Sequence, residues 1–79
     1  MYEYKTSGTC SKKIRYKIED GKIYSIHFEG GCDGNLKAIS TLLEGMDAFL
    51  VVEKLKGNRC GSKNTSCADQ LARAVEQHL

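Results

Sequence analysis

Four cysteines are the residues of this 79-residue chain with the clearest capacity for chemistry: Cys10, Cys32, Cys60 and Cys67. Cys32 and Cys60 adjoin glycines, and Cys67 stands where a helix is expected to begin, so nearby backbone N–H groups favour thiolates. Thiolates are the form that zinc and iron–sulfur clusters bind. The sequence lacks the C-x-x-C pair of common zinc ribbons and fingers. If the elements predicted below pack together, the four cysteines could still meet at one end of the fold.

Three interpretations of the cysteines stay open on the residues alone. They are a metal or cluster site, a structural or redox disulfide such as a dithiol of Cys60 and Cys67, and separate buried thiols. Residues 1–5 lack the apolar core of a secretory signal, which predicts a cytoplasmic chain. Because stable disulfides are rare in the cytosol, the metal interpretation comes first.

The two histidines give less support for a site. His27 falls within a strand pattern, where a packed or surface role is more common than metal ligation. His78 lies at the frayed end of the last expected helix, where we expect it to be solvated. Neither histidine forms a specific Ser-His-Asp constellation with the rest of the sequence. We therefore predict no catalytic residue and no catalytic activity of the chain's own.

Length and charge limit the classes of function. A chain of 79 residues predicts one domain over residues 1–79, near the lower limit for a self-sufficient core. Ordering each residue costs roughly 1.5 kcal/mol, so chains of this size often need a disulfide, a metal or a partner subunit. A net charge of +2 with scattered lysines argues against nucleic acid. No apolar run approaches the ~20 residues that a membrane span requires.

Alternation of apolar and polar residues predicts strands in the first third of the chain. Asp20 and Gly21 separate two of them and are a strong hairpin signal, while Ser7 and Gly8 could break or bulge the first. The pattern therefore predicts two or three antiparallel strands with one face covered. The apolar positions are Tyr2, Tyr4, Ile14, Tyr16, Ile18, Tyr24, Ile26 and Phe28.

Helical spacing replaces this alternation in the rest of the chain. Asp47 is the expected cap of a second helix, and Gly45 and Gly57 mark the ends of the first and second. The apolar positions are Leu36, Ile39, Leu42 and Leu43 in the first helix and Phe49, Leu50, Val52 and Leu55 in the second.

The last helix has the clearest signals. Ser66 or Thr65 is its expected cap, and Asp69 follows Ser66 at the spacing of a capping box. Strands followed by helices predict an α+β domain, a two- to three-stranded antiparallel meander with about three helices packed on one face. The buried positions of the last helix are Leu71, Ala72, Ala74, Val75 and Leu79.

Two segments resemble the TSCPD domain family. They are residues 30–35, with the sequence GGCDGN, and residues 60–72, with the sequence CGSKNTSCADQLA. Residues 65–69 match the pentapeptide for which the family is named, with Ala68 in place of its proline. Both residues suit the first turn of a helix. The resemblance covers nearly the whole chain, from Cys10 to the last helix.

This resemblance implies a metal-binding module, with zinc as the expected metal and Cys10, Cys32, Cys60 and Cys67 as its ligands. Members of the family occur as small stand-alone proteins of unknown function and as C-terminal appendages of some ribonucleotide reductases. The resemblance therefore also implies an association with such a reductase or with another protein partner. A chain of 79 residues has no room for the catalytic barrel of a reductase.

A second resemblance is to the scaffold proteins of iron–sulfur cluster assembly. Cys10 before a strand, Cys32 in a glycine turn and Cys67 at the start of a Leu- and Ala-rich helix follow the order of those scaffolds. Lys12 stands where the scaffolds have an aspartate, and Cys60 is additional.

The patterns together predict a small module holding zinc through four thiolates. The alternatives are an iron–sulfur scaffold or carrier, a dithiol redox protein, and an interaction domain that needs no metal.

Overall fold

The computed structural model describes residues 1–9, 11–30, 33–59 and 65–79. Within them the chain forms three strands followed by three helices, which confirms the predicted α+β class. The strands are β1 (Tyr2–Lys5), β2 (Ser11–Glu19) and β3 (Lys22–Gly30), and the helices are α1 (Asp33–Leu43), α2 (Ala48–Leu55) and α3 (Cys67–Glu76).

The described strands form one antiparallel sheet in the order β1-β2-β3, which is the predicted meander. Asp20 and Gly21 connect β2 to β3 with φ angles of 51° and 76°. Positive φ at both central residues is typical of the type I′ turn, whose twist matches that of the flanking strands. The hairpin prediction at these two residues is confirmed.

A bulge in β3 changes which of its residues face the core. The β2–β3 register shifts beside Ser25, which adopts a φ of 54°. As a result Ile23 and Ile26, three residues apart, are both buried, whereas Tyr24 is half-buried. The prediction that strict alternation places Tyr24 in the same inward set as Ile26 is wrong, because a bulge adds one residue to the repeat.

A second bulge lies at the start of β2. Ser11 pairs with Gly30, whereas Lys13 pairs with the residue before Gly30, which leaves Lys12 as an extra residue in β2. Strict alternation would place Ser11 on the face opposite to that of Ile14. The bulge instead brings both side chains to the inner face, where Ser11 is 4% exposed.

The helices pack on the inner face of the sheet and enclose one hydrophobic core. α1 packs on β3, and α2 packs on α3. No helix in the described part of the chain is long and apolar enough to cross a membrane. The buried residues of the core are Ile14, Tyr16, Ile23, Ile26, Leu43, Ala48, Val51, Leu71, Ala74 and Val75.

The inward face of α1 is narrower than predicted. Leu36 and Leu43 are buried and Ile39 packs against the core, but Leu42 is 76% exposed. Each residue turns a helix by about 100°, so positions 36, 39 and 43 share one face and Leu42 points away from it. The prediction that Leu42 belongs to the apolar stripe is therefore wrong. The helix ends at Leu43, two residues before Gly45 with its φ of 78°.

Asp47 caps α2 as predicted, with its Oδ1 accepting from the backbone N–H of Phe49 at 2.8 Å. Of the four predicted core positions, Val52 and Leu55 pack against the core, whereas the prediction for Phe49 and Leu50 is wrong. Ala48 and Val51 are fully buried, whereas Phe49 is 68% and Leu50 42% exposed. The N–H of Ala48 donates to the carbonyl of Gly21 at 2.8 Å and so joins the start of α2 to the hairpin.

The buried face of α3 agrees with the prediction in its four central positions and differs at the last one. Leu79 is 47% exposed because α3 ends at Glu76. His78 is exposed as predicted, and its ring also stacks on Tyr2 with 3.9 Å between the ring centroids. The fully buried residues of α3 include Leu71, Ala72, Ala74 and Val75.

The hairpin turn yields the first testable prediction. Gly21→Ala should lower the free energy of unfolding by about 1 kcal/mol, because an L-residue is strained at a φ of 76°. Nothing lies within 4 Å of a Cβ built at Gly21, so the loss would reflect backbone conformation. The control is Gly34→Ala in α1, which also meets nothing within 4 Å and should stabilise by up to about 1 kcal/mol. Urea unfolding measures both, and an unchanged Gly21→Ala variant would contradict the turn geometry.

Candidate metal centre

Cys67 is the first residue of α3, and its position follows from the cap of that helix. Ser66 has extended backbone angles, and its Oγ accepts from the N–H of Asp69 at 3.0 Å. This confirms the predicted cap. Ala68, which replaces the proline of the pentapeptide, lies buried in the first turn without disturbing the helix start. The helix thus presents a half-buried thiol at its N-terminus, with no disulfide to another described residue.

The start of β2 lies against this thiol. The Oγ of Ser11 is 3.2 Å from the Sγ of Cys67. Thr9 adds a second hydroxyl, with its Oγ1 3.3 Å from the Oγ of Ser11. Thr9 and Ser11 are the sequence neighbours of Cys10, so both described residues that flank this cysteine belong to the surroundings of Cys67.

The segment after α2 reaches the same place. The Oγ of Ser66 donates to the carbonyl oxygen of Asn58 at 2.7 Å, and the Nδ2 of Asn58 donates back to the same Oγ at 3.2 Å. Asn58 precedes Cys60 by two residues in the sequence. The segment before Cys60 is therefore bound, through Asn58, to the residue that precedes Cys67.

The end of β3 completes the set of neighbours. Gly30, two residues before Cys32, pairs with Ser11 in the sheet. Asp33, the residue after Cys32, begins α1. Cys10, Cys32 and Cys60 lie outside the described residues, so of the four predicted ligands the structure places Cys67. Ser11, which contacts its thiol, pairs with Gly30, and Asn58 binds the adjacent Ser66.

Asp69 connects these segments from within the fold. Its side chain is fully buried, and its Oδ1 accepts from the N–H of Gly57 at 2.6 Å. Its Oδ2 accepts from the Oγ1 of Thr65 and from the Nε of Arg73, the latter at 2.9 Å. The predicted capping box is thus only half formed: the N–H of Asp69 binds Ser66, while its carboxylate turns to the preceding loop. By binding both Gly57 and Thr65, the carboxylate holds the chain on both sides of the segment that contains Cys60.

These contacts also set the ionisation of Asp69. Burial alone would raise the pKa of its carboxyl, but the hydrogen bonds from Thr65 and Gly57, with the hydrogen bond and charge of Arg73, lower the pKa below its ordinary value. The sequence analysis missed this role because it considered Asp69 only as a partner of Ser66 in a capping box. The available signal was Arg73 four residues later, at the spacing of a helical ion pair.

Gln70 is a second residue that the sequence analysis missed. It is 6% exposed, and its Oε1 accepts from the N–H of Ser7 at 3.2 Å. Its Nε2 donates to the Oγ1 of Thr65 at 3.0 Å. One amide group thus joins the segment that leads to Cys10 to the segment that leads to Cys67. An amide suits this position because it donates to one loop and accepts from the other.

An open groove of about 480 Å³ lies beside Cys67, between α1 and the start of α3. Leu36, Ile39 and Leu42 form an apolar wall on the α1 side, and Asn58 lies among the opposite lining residues. The thiol therefore borders a space that opens to solvent.

The described parts of the chain contain no group of three or more His, Cys, Asp or Glu side chains that could hold a metal ion. Three of the four predicted ligands fall outside those parts. The finding therefore shows only that the described His, Asp and Glu residues and Cys67 form no such group. His27 lies exposed on β3, one of the two positions that the sequence analysis allows for it. The four cysteine thiols thus remain the metal ligands that the sequence predicts.

Comparison with known proteins gives one family. The model of the TSCPD domain matches residues 2–79 of the chain. No curated protein and no solved structure gives a significant match. The family match includes the pentapeptide at residues 65–69, whose Ser66 and Asp69 make the contacts described above.

The buried carboxylate yields the second prediction. Asp69→Asn should lower the free energy of unfolding at neutral pH by about 2 kcal/mol, because an amide cannot accept from Gly57, Thr65 and Arg73 together and leaves a buried donor unpaired. The folded pKa is depressed, so this contribution is present above the unfolded value of about 3.9 and is lost as the pH falls through the folded pKa. The variant should therefore show a shallower loss of stability on acidification.

The matched control is Glu76→Gln on the same helix. Glu76 pairs with Lys56 at 2.8 Å, but both side chains are more than two-fifths exposed, so this change should cost less than about 1 kcal/mol. Urea unfolding of the three proteins between pH 3 and pH 7 gives the comparison. Equal losses for the two variants would contradict the role assigned to Asp69.

Proposed function

Because the chain belongs to the TSCPD domain family, we propose that it is a metal-binding module that holds zinc through the thiolates of Cys10, Cys32, Cys60 and Cys67. One observation carries the proposal: Ser11 contacts the thiol of Cys67, Gly30 pairs with Ser11, and Asn58 binds Ser66, so described neighbours of the other three cysteines are connected to Cys67. Consecutive Cα atoms are only ~3.8 Å apart. Each of those three cysteines is one or two residues from a described residue in these surroundings.

The residues of the pentapeptide support the same assignment. Ser66 is used as the helix cap, Thr65 and Asp69 bind each other, and Ala68 is buried. Cys67 is the member whose side chain points to the hydroxyl of Ser11 and borders the groove. The motif thus holds its cysteine in a fixed position at a helix N-terminus, where backbone N–H groups favour an anionic ligand.

The chemistry of the donor set fits zinc. Soft thiolates select zinc or iron–sulfur clusters over hard cations, and four thiolates give a closed tetrahedral zinc site. Such sites are structural, because no coordination position stays open for a substrate. A structural zinc would join the segments around β2, α1 and α3 and contribute binding free energy of the order of 10 kcal/mol to a small core. We therefore assign the chain a structural metal and, following the reductase appendages of the family, a protein partner.

Elemental analysis tests the metal and its ligands. Protein purified without oxygen should contain one zinc per chain and be colourless, and Cys67→Ser should lower the zinc content severalfold because one of four ligands is lost. The control is a double variant, His27→Gln with His78→Gln, which removes the imidazole donors and should keep its zinc. A brown protein with visible absorbance would instead favour the iron–sulfur alternative. Wild-type protein without metal would contradict the proposal.

Chelation tests whether the metal stabilises the fold. A strong chelator should lower the melting temperature of the wild-type protein by many degrees, because the free energy of zinc binding is linked to folding. The same chelator should change the melting temperature of Cys67→Ser much less, since its site is already impaired. Wild-type protein that carries zinc and keeps its full stability with the chelator would refute a structural role.

A further inference from the structure

We propose that Ser11 is a positioning residue of the metal site and that its hydroxyl donates a hydrogen bond to the thiolate of Cys67. The proposal rests on the function proposed above, since it requires Cys67 to be a metal ligand. Its observation is the 3.2 Å separation of the Ser11 Oγ from the Cys67 Sγ, in a side chain that is 4% exposed. A buried hydroxyl normally has partners, and here they are the thiol of Cys67 and the Oγ1 of Thr9.

The backbone of β2 is shaped to bring this hydroxyl to the sulfur. Lys12 is an extra residue in the strand, and without it Ser11 would face away from the core. Bulges re-aim a side chain at the cost of local sheet regularity, and they are common next to functional sites. The pairing of Ser11 with Gly30 holds the bulged segment in register. The position of the hydroxyl is thus set by the sheet, and that of the thiol by α3.

The direction of the hydrogen bond follows from counting protons. A metal-bound thiolate carries no proton and can only accept, so the single hydroxyl proton of Ser11 must point to the sulfur. Thr9 has one hydroxyl proton, and when the Ser11 proton points to the sulfur, Thr9 donates its own proton to the Ser11 Oγ at 3.3 Å. The Ser11 carbonyl oxygen then accepts from the Oγ1 of Thr6 at 2.5 Å. The two threonines therefore hold the residue whose hydroxyl orients the ligand.

A hydrogen bond to a metal ligand fixes its orientation and tunes its donor strength. Loss of such an outer partner typically lowers metal affinity 10- to 100-fold. We expect this range for Ser11→Ala. The change removes one oxygen at a strand position and leaves the bulge, the core and the thiolates in place.

The test compares Ser11→Ala with Ser40→Ala. Ser40 donates to the carbonyl of Leu36 within α1 at 2.9 Å, so its variant loses a serine hydroxyl elsewhere in the fold. Zinc affinity is measured by competition with a chromophoric chelator, and cobalt is added to a second sample to record its thiolate charge-transfer band. Ser11→Ala should bind zinc about 10- to 100-fold more weakly and shift that band. Ser40→Ala should match the wild type in both measurements.

A third variant separates the hydroxyl from the shape of the residue. Ser11→Thr keeps the donor, so it should restore most of the affinity and the wild-type band. Ser11→Ala with wild-type affinity and an unchanged band would overturn the role of Ser11 while leaving the zinc site standing. Wild-type protein that binds neither zinc nor cobalt would overturn the proposed function itself. Circular dichroism of each variant confirms that the comparison is made between folded proteins.

Discussion

The buried carboxylate of Asp69 is the interaction on which the arrangement of this chain depends. A carboxylate without water is costly unless its oxygens accept hydrogen bonds, and here the donors come from the segments on both sides of residues 60–64. Gly57 donates from the start of the loop after α2, Thr65 from just before α3, and Arg73 from one turn further along the helix. The hydrogen bonds to the Asp69 carboxylate therefore fix both ends of the loop between α2 and α3.

Gln70 and Ser66 extend this constraint to the other segments. Gln70 binds Ser7, which leads to Cys10, and Ser66 binds Asn58, which leads to Cys60. Polar residues at the first turn of a single helix thus hold the approaches to two cysteines and to Cys67 itself. The hydrophobic core orients α3 and the sheet, and the hydrogen bonds then set the loops against α3. In this account zinc closes a site whose surroundings are already positioned.

Sequence patterns predicted the parts of the fold that local interactions decide. The hairpin at Asp20 and Gly21 and the caps at Asp47 and Ser66 depend on two or three neighbouring residues, and all are confirmed. The bulges at Lys12 and Ser25 depend on how strands pair, so a period-2 pattern could not reveal them.

The sequence pattern also did not reveal that several apolar side chains face solvent. Leu42, Phe49 and Leu50 are as apolar as the residues they flank, and tertiary contacts decide which of them face the core. At the site, the sequence identified Cys67 and its helix start, but not the contacts of Ser11, Asp69 and Gln70. The contacts of Ser11 with Cys67 and of Gln70 with Ser7 join residues far apart in the chain, so no local pattern reveals them. For Asp69 the local sign was Arg73, four residues later.

A count of reactive thiols before and after zinc removal tests the central claim most directly. In freshly purified wild-type protein kept under reducing, oxygen-free conditions, the account predicts that a thiol reagent reacts slowly with all four cysteines. A strong chelator should then release four thiols together with one equivalent of zinc. Four thiols that react at once without the chelator, or fewer than four after its addition, would contradict a site built from Cys10, Cys32, Cys60 and Cys67.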